Sequence, residues 1–411
     1  MSTDNLKNLI INELNKRNHF NLEKISVAFP YFDHNEIINA LDSLLDLKIS
    51  QGQKTKEFEN SFSKYLSMPY AAAVNSGSSA NLVAFAALLD LKKIKKGDEV
   101  IVPSTTFATV VSPLYQLGLV PVSVDIENKN WNLNSNLIEK AITKKTKVIM
   151  PVHTLGFPCE MDKINEIAQK YNLIVIEDCC EAHGARYKNS IVGSLSDIST
   201  FSFFVAHNIT TGEGGMILCK DEELYQSILS IREFGRLINY KSRFSSYGNM
   251  NNYDSRYMFM KNGYNVRLND ISSSLGIEQI KKLDNINKER RRNAKYVRDN
   301  LELLSDKIYI PTTEDHNLCA YYGFPISLID KNFNRNELCL YLEENNIETR
   351  AIMGGCLPDQ PAFDNQLHRI HDDLPISRYV RDNAFFIGIH SALNQSHLDK
   401  IISTVISFFE K

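Results

Sequence analysis

Three short segments of this 411-residue chain place chemically capable side chains beside turns. In VNSGSSANLVAFAALL, residues 74–89, a run of small residues leads straight into a helical pattern. The first N–H groups of that helix, with the hydroxyls of Ser78 and Ser79, would cradle a phosphate or another anion; a plain N-cap turn is the simpler alternative. In IVIEDCCEAHGA, residues 174–185, a buried-strand pattern ends in Glu177-Asp178. A carboxylate at the C-terminal end of a parallel strand faces the crevice where open α/β sheets take ligands. There Asp178 could pair with a protonated pyridine nitrogen, the contact that makes pyridoxal phosphate an electron sink, or it could simply cap a helix. In DISTFSFFVAHNITTGEGGMILC, residues 197–219, an aromatic strand is followed by His207 and then by a turn holding Gly212, Glu213, Gly214 and Gly215.

The elements that must position these residues follow from hydrophobic spacing. NLKNLIINEL and HNEIINALDSLLDL carry apolar residues at helical intervals, so residues 1–50 read as an N-terminal helical extension. From about residue 55, helix-like stretches alternate with short apolar runs such as DEVIVP, VPVSVDI, KVIMPV and LIVIED. That alternation predicts an α/β layer on a mostly parallel sheet. The polar stretch 239–262 predicts a long loop or irregular hairpin, and a strongly helical stretch from DISSSLGIEQI to DNLELL is long enough to bridge two lobes. Past about residue 306, smaller strand and helix patterns predict a second α+β domain.

Composition narrows the class of function. With 43% apolar residues and only 18 Gly and 12 Pro, the chain is globular rather than disordered. A net charge of −3 gives no electrostatic case for nucleic acid or an anionic membrane as partner. There is no apolar run of membrane-spanning length and no leader-like start, so a cytoplasmic location is expected. The seven cysteines are scattered without a CxxC pair, which predicts reduced, mostly buried thiols, with neither a disulfide framework nor a metal site.

Taken together, the three segments resemble the sugar aminotransferase-like (DegT/DnrJ/EryC/StrS) family of fold-type I pyridoxal-phosphate enzymes, which act on nucleotide-linked keto sugars. The resemblance extends through DEVIVPSTTFATV, PVHTLGFPCEMD, GYNVRLNDISSSLGIEQI and FFIGIHSAL. It implies an aspartate aminotransferase-like fold: a large cofactor-binding α/β domain, residues 51–290, around a mostly parallel seven-stranded sheet, and a smaller α+β domain, residues 291–411. Most members carry at position 207 a lysine that holds the cofactor as an imine. Histidine cannot form that bond, and its presence here resembles the 3-dehydratase branch, which starts from pyridoxamine phosphate. His207 is then expected as the catalytic base, a neutral imidazole titrating near its ordinary pKa of about 6.5.

Further roles are implied by the same resemblance. Gly77, Ser78 and Ser202 should hold the cofactor phosphate, Asp178 the ring nitrogen, and Phe107 one face of the pyridine ring. Glu181 should lie near the reactive carbon. Asn265 should reach the phosphate of a neighbouring subunit, making the active unit a homodimer with shared sites. Arg236 is the candidate contact to the sugar or its diphosphate, a surface charge being an equal alternative. His153 and His183 should be structural histidines lining the same crevice. The iron–sulfur dehydrases of this branch group cysteines in the region 236–262, and this chain has none between Cys219 and Cys319. That departure argues against a cluster and favours a mechanism with L-glutamate as amino donor, while the resemblance implies a nucleotide-linked 4-keto-6-deoxysugar as substrate. The segment GGCLPDQPAF, in contrast, looks closer to the iron–sulfur relatives. An aminotransferase lacking the lysine, and a catalytically silent homologue, are the alternatives.

Overall fold

The computed structural model describes residues 3–17 and 22–410. Its largest sheet has eight strands in the spatial order Tyr70–Val74, Gly215–Cys219, Ile198–Ser202, Ile174–Asp178, Thr146–Ile149, Glu99–Pro103, Val120–Val124 and Arg369–Ile370. Seven come from the stretch 70–219, and the eighth is a two-residue edge strand supplied by the C-terminal third of the chain. Pairing is parallel except along both sides of Gly215–Cys219. The near-continuous apolar runs in these strands reflect helices packed on both faces, and buried side chains form one cluster on each.

Register decides what this sheet presents. Asp178 pairs with Thr200, Ser202 with Gly215, and Val74 with Gly215. The ends of three strands and the start of the antiparallel one therefore meet along one edge of the sheet, the edge where α/β folds bind ligands. The helix Gly77–Asp90 begins at this edge, capped by Ser76, whose side chain accepts from Ser79 N.

The helix Asp270–Leu301 runs for 32 residues, about 48 Å at 1.5 Å per residue, from the large lobe into the second. Its Asn269 side chain caps the start by accepting from Ser272 N. The Asp270 carboxylate accepts from Gly52 N and Thr55 N at 2.7 and 3.0 Å, tying in the helix Gln53–Leu66. The second lobe is a four-stranded antiparallel sheet in the order Ile308–Tyr309, Phe324–Leu328, Ala384–Ile387, Thr349–Ala351, with its own core.

The N-terminal region reads out as helices Thr3–Arg17 and His34–Leu45. The segment between them crosses to the second lobe, where Ile25 N donates to Asn346 O and Phe29 stacks on His390. The helix His34–Leu45 lies on the long helix, with Ser43 and Ser274 hydroxyls 2.8 Å apart. The polar stretch folds as a two-stranded hairpin, Phe244–Tyr247 with Met250–Asp254, joined to neither larger sheet. No helix among the described residues is long and apolar enough to cross a membrane.

Candidate active site

A cavity of about 340 Å³ opens at the strand-end edge of the large sheet. Seven of the residues singled out in the sequence line it: Gly77, Ser78, Phe107, Asp178, Glu181, Ser202 and His207. They come from four separate segments, brought together by the register described above.

The wall formed by the Gly77 helix is built for close approach. A Cβ on Gly77 would stand 2.6 Å from Ser202 Cβ and 3.0 Å from Cys180 Sγ, so a side chain here would push the helix start off the strand. A Cβ on Gly215 would meet Ser76 O at 2.2 Å. The Ser76 and Ser79 hydroxyls are engaged within the turn, Ser79 donating to Asn75 Oδ1, whereas Ser78 makes no such bond among the described residues. Ser202 Oγ accepts from Phe204 N at 3.4 Å, which leaves its proton for a ligand. Free hydroxyls, helix N–H groups and a backbone with no Cβ between them suit a phosphate.

Asp178 is closed off from solvent except through the cavity. Its Oδ2 accepts from Asn81 Nδ2 at 2.9 Å and its Oδ1 from Cys180 N at 3.0 Å. Both donors hold it from behind, and Phe107, 58% exposed, offers an aromatic face across the same space. Phosphate cradle, buried carboxylate and open aromatic ring are the donor set that a pyridoxal-type cofactor requires, so the residues present fit it.

His207 follows the strand Ile198–Ser202 on a tight turn, its N–H donating to Phe204 O. The next residue anchors the turn: Asn208 Nδ2 donates to Asn287 Oδ1 at 2.7 Å and Ala320 O at 2.8 Å. The Nδ1 of His207 faces the interior, and Nε2 is the nitrogen reachable from the cavity. The expected pKa near 6.5 is corrected by the fold. Burial, with the Arg290 guanidinium nearby, pushes the imidazole down to about 3. Arg290 is itself buried, bonded to the carbonyls of Tyr321 and Tyr322 at 2.9 and 3.2 Å, and pulled down to about 10 by that burial. Glu181 shifts the other way: burial and the Asp178 charge raise its carboxyl to about 8 although Leu155 N donates to it at 2.7 Å.

Two expectations are corrected by position. His153 and His183 do not line the crevice; both are fully buried behind it. His153 Nδ1 accepts from Cys159 N, so its Nε2 carries the proton toward Glu177 Oε2 at 3.2 Å. Burial by itself would raise Glu177, but His153 and donors from Gly193 and Ser196 hold it below the usual carboxylate range. His153, Glu177 and Cys179 come within metal-ligating reach of one another, yet the Glu177 oxygens are already consumed by these donors. The His183 ring lies 5.7 Å from that of His207, centre to centre, tilted by 43°.

Asn265 and Arg236 lie away from the cavity of their own chain. Asn265 is exposed and bridged to Glu233. Arg236 pairs with Glu233 at 3.0 Å and lies over the Phe234 ring. Four residues that hold the site together carry no sequence signal of their own: Asn81, Asn208, Arg290 and Tyr322. Asn81 alone was within reach of sequence reasoning, because it sits one turn beyond Gly77 on the same helix.

The profile of the DegT/DnrJ/EryC1/StrS aminotransferase family matches residues 32–406. The chain is 35% identical over 384 residues to the lipopolysaccharide biosynthesis protein RfbH of Salmonella typhimurium, covering 90% of this chain and 88% of that protein. It is 33% identical over 401 residues to the GDP-4-keto-6-deoxy-D-mannose 3-dehydratase of Yersinia pseudotuberculosis, covering 95% and 100%. It is 32% identical over 386 residues to the GDP-perosamine synthase of Caulobacter vibrioides, covering 93% and 98%. Two solved structures of GDP-4-keto-6-deoxymannose-3-dehydratase share the fold. One, a mutant with bound GDP-perosamine, has a TM-score of 0.87 at 31% identity, covering 93% of this chain and 100% of that one. The other, with a trapped PLP-glutamate geminal diamine, has a TM-score of 0.84 at 31% identity, covering 92% and 99%.

Proposed function

This chain belongs to the DegT/DnrJ/EryC1/StrS aminotransferase family, and on that premise we propose that it is a pyridoxamine-phosphate-dependent 3-dehydratase of a nucleotide-linked 4-keto-6-deoxysugar. The observation that carries this reading is His207 in the wall of the cavity that holds Asp178 and the Gly77 turn. A base stands where a lysine would hold the cofactor covalently.

When bound, pyridoxamine phosphate supplies an amine that condenses with the C4 ketone and a ring that accepts electrons from its C4′ carbon. Gly77 N–H, Ser78 and Ser202 hold the phosphate, Asp178 pairs with the ring nitrogen, and Phe107 covers one ring face. His207 Nε2 would take the proton at C4′, and the C3 hydroxyl would leave with a proton as water. Lowered to about 3 by burial, the imidazole is uncharged at neutral pH and has a lone pair with which to accept a proton. Glu181, raised to about 8, holds a proton at neutral pH beside the reacting carbons. L-Glutamate restores the amine, again with His207 moving the proton.

No cysteine lies between Cys219 and Cys319, so the hairpin region offers no thiolate set for an iron–sulfur cluster, and the reducing equivalents are assigned to the pyridoxamine amine. Arg236 and Asn265 face away from their own cavity, which supports a homodimer in which this surface serves the neighbouring site. The likeness to a lipopolysaccharide biosynthesis protein favours a product destined for surface polysaccharide, which the proposed reaction would make as a dideoxysugar. The likeness to a perosamine synthase favours one second reading, a lysine-free aminotransferase.

Mass spectrometry of protein, pyridoxal phosphate, L-glutamate and GDP-4-keto-6-deoxymannose separates the two. A product lighter by one oxygen, with ammonia released, is expected. An amino sugar that keeps its C3 oxygen would move the protein to the aminotransferases.

A further inference from the structure

A second cavity, of about 330 Å³, adjoins the first on the side of the second lobe. Val27 and Ala28 of the N-terminal segment form part of its wall, and Glu348 and Arg350, paired with each other, form another part. Five residues line both cavities and so form the neck between them: Phe107, Glu181, Phe204, Tyr322 and Met353. Three of these are apolar. Of the two that can hydrogen-bond, Glu181 already accepts from Leu155 N. Tyr322 is the other, and its hydroxyl makes no hydrogen bond among the described residues.

Tyr322 is held through its backbone and by two neighbouring rings. Its N–H donates to Leu155 O at 3.0 Å, and its carbonyl accepts from Arg290 Nη1 at 3.2 Å. Its ring centre lies 5.2 Å from that of His207 and 5.6 Å from that of Phe386. A phenol fixed so firmly loses little further entropy when it binds a ligand. Burial and the nearby Glu181 carboxylate raise its pKa above the ordinary tyrosine value, so it remains a neutral donor. A free phenol donor at a neck whose other residues are Glu181 and three apolar side chains is costly to leave unpaired once water is expelled.

We infer that the Tyr322 hydroxyl is a specificity-determining contact that hydrogen-bonds a hydroxyl oxygen on the sugar ring where the substrate passes from the His207 cavity into the second cavity. This rests on the nucleotide-sugar reading above. It adds that the second cavity takes the part of the substrate beyond the reacting carbons, and that a sugar lacking an oxygen at the neck is disfavoured because the phenol is then left unpaired.

The test is Tyr322→Phe in the pyridoxal-phosphate-loaded enzyme, which has no amine with which to turn substrate over. Calorimetry with GDP-, CDP- and dTDP-linked 4-keto-6-deoxyhexoses should show the Kd of the best probe weakened roughly 5- to 10-fold, the size of one net hydrogen bond. With glutamate present, the KM for the nucleotide sugar should rise by a larger factor than kcat falls. An unchanged Kd, or a kcat loss at constant Kd, would each overturn the assignment, as would a wild-type enzyme that binds none of the three probes. If the Kd shift is seen but the product keeps its C3 oxygen, the dehydratase reading fails and the recognition role of Tyr322 stands.

Discussion

The side-chain amide of Asn81 donates to the Asp178 carboxylate across 2.9 Å, with both residues closed off from solvent. Asp178 ends a central strand and Asn81 lies one turn into the helix Gly77–Asp90, so this bond joins the helix proposed to hold the cofactor phosphate to the carboxylate proposed to pair with the cofactor ring. Asn81→Ala removes one of the two donors behind the carboxylate. A stability loss of about 1–3 kcal/mol is expected, read from urea unfolding at constant m, together with weaker retention of pyridoxal phosphate on dialysis.

His207 is assigned as base rather than anchor, and two substitutions separate these roles. His207→Asn should abolish turnover while the protein still binds pyridoxal phosphate. His207→Lys should capture the cofactor covalently, seen as an added mass after borohydride reduction. A fully active His207→Asn enzyme would remove the imidazole from the mechanism.

Gly77→Ala brings a methyl group to 2.6 Å from Ser202 Cβ. Relief requires the helix start to move off the strand, at a cost of about 1–3 kcal/mol, and the helix N–H groups are drawn away from the phosphate. Cofactor affinity, followed by fluorescence titration, should fall by roughly tenfold or more, a loss of about 1.4 kcal/mol in binding.

Two buried groups set opposite pH dependences of stability. Glu181 titrates near 8 in the fold and near its ordinary value of about 4.3 when unfolded. Between those values the folded protein holds a proton that the unfolded chain has released, so stability declines as pH rises through this window. Glu181→Gln should match wild type in Tm near pH 4 and gain on it up to about pH 8, with no further gain above. His207, lowered to about 3 from an unfolded value of about 6.5, acts in reverse. Its contribution is complete above the unfolded value and is lost as pH falls toward 3, so His207→Gln should narrow the Tm gap to wild type across that interval.

Much of the site was legible because its chemistry is local. A phosphate cradle needs small residues at a helix start, and NSGSS supplies them in five consecutive positions. A carboxylate at a strand end shows itself as an apolar run closing on Asp178, and the strand before His207 is equally plain. The hairpin at 244–254 could be anticipated only as an irregular polar stretch, since its strands pair with each other and bury little. His153 and His183 were assigned correctly as structural but placed wrongly in the crevice. The depth of His183 depends on packing against Phe62, Phe201 and Phe203, and that of His153 on Glu177 and Cys159, partners that no local pattern brings together.

By itself, then, the sequence determined the alternation of strands and helices, the cradle, the strand-end carboxylate and the histidine in place of lysine, because each is written in a few neighbouring residues. Only the tertiary structure decided the charge state of that histidine and the company it keeps. The Arg290 guanidinium reaches the neighbourhood of His207 from the long helix, and Tyr322 reaches it from the connection into the second lobe. A pKa of about 3 and a neck between two cavities arise from burial and from charges brought together across more than 80 positions of chain, and no local pattern encodes them.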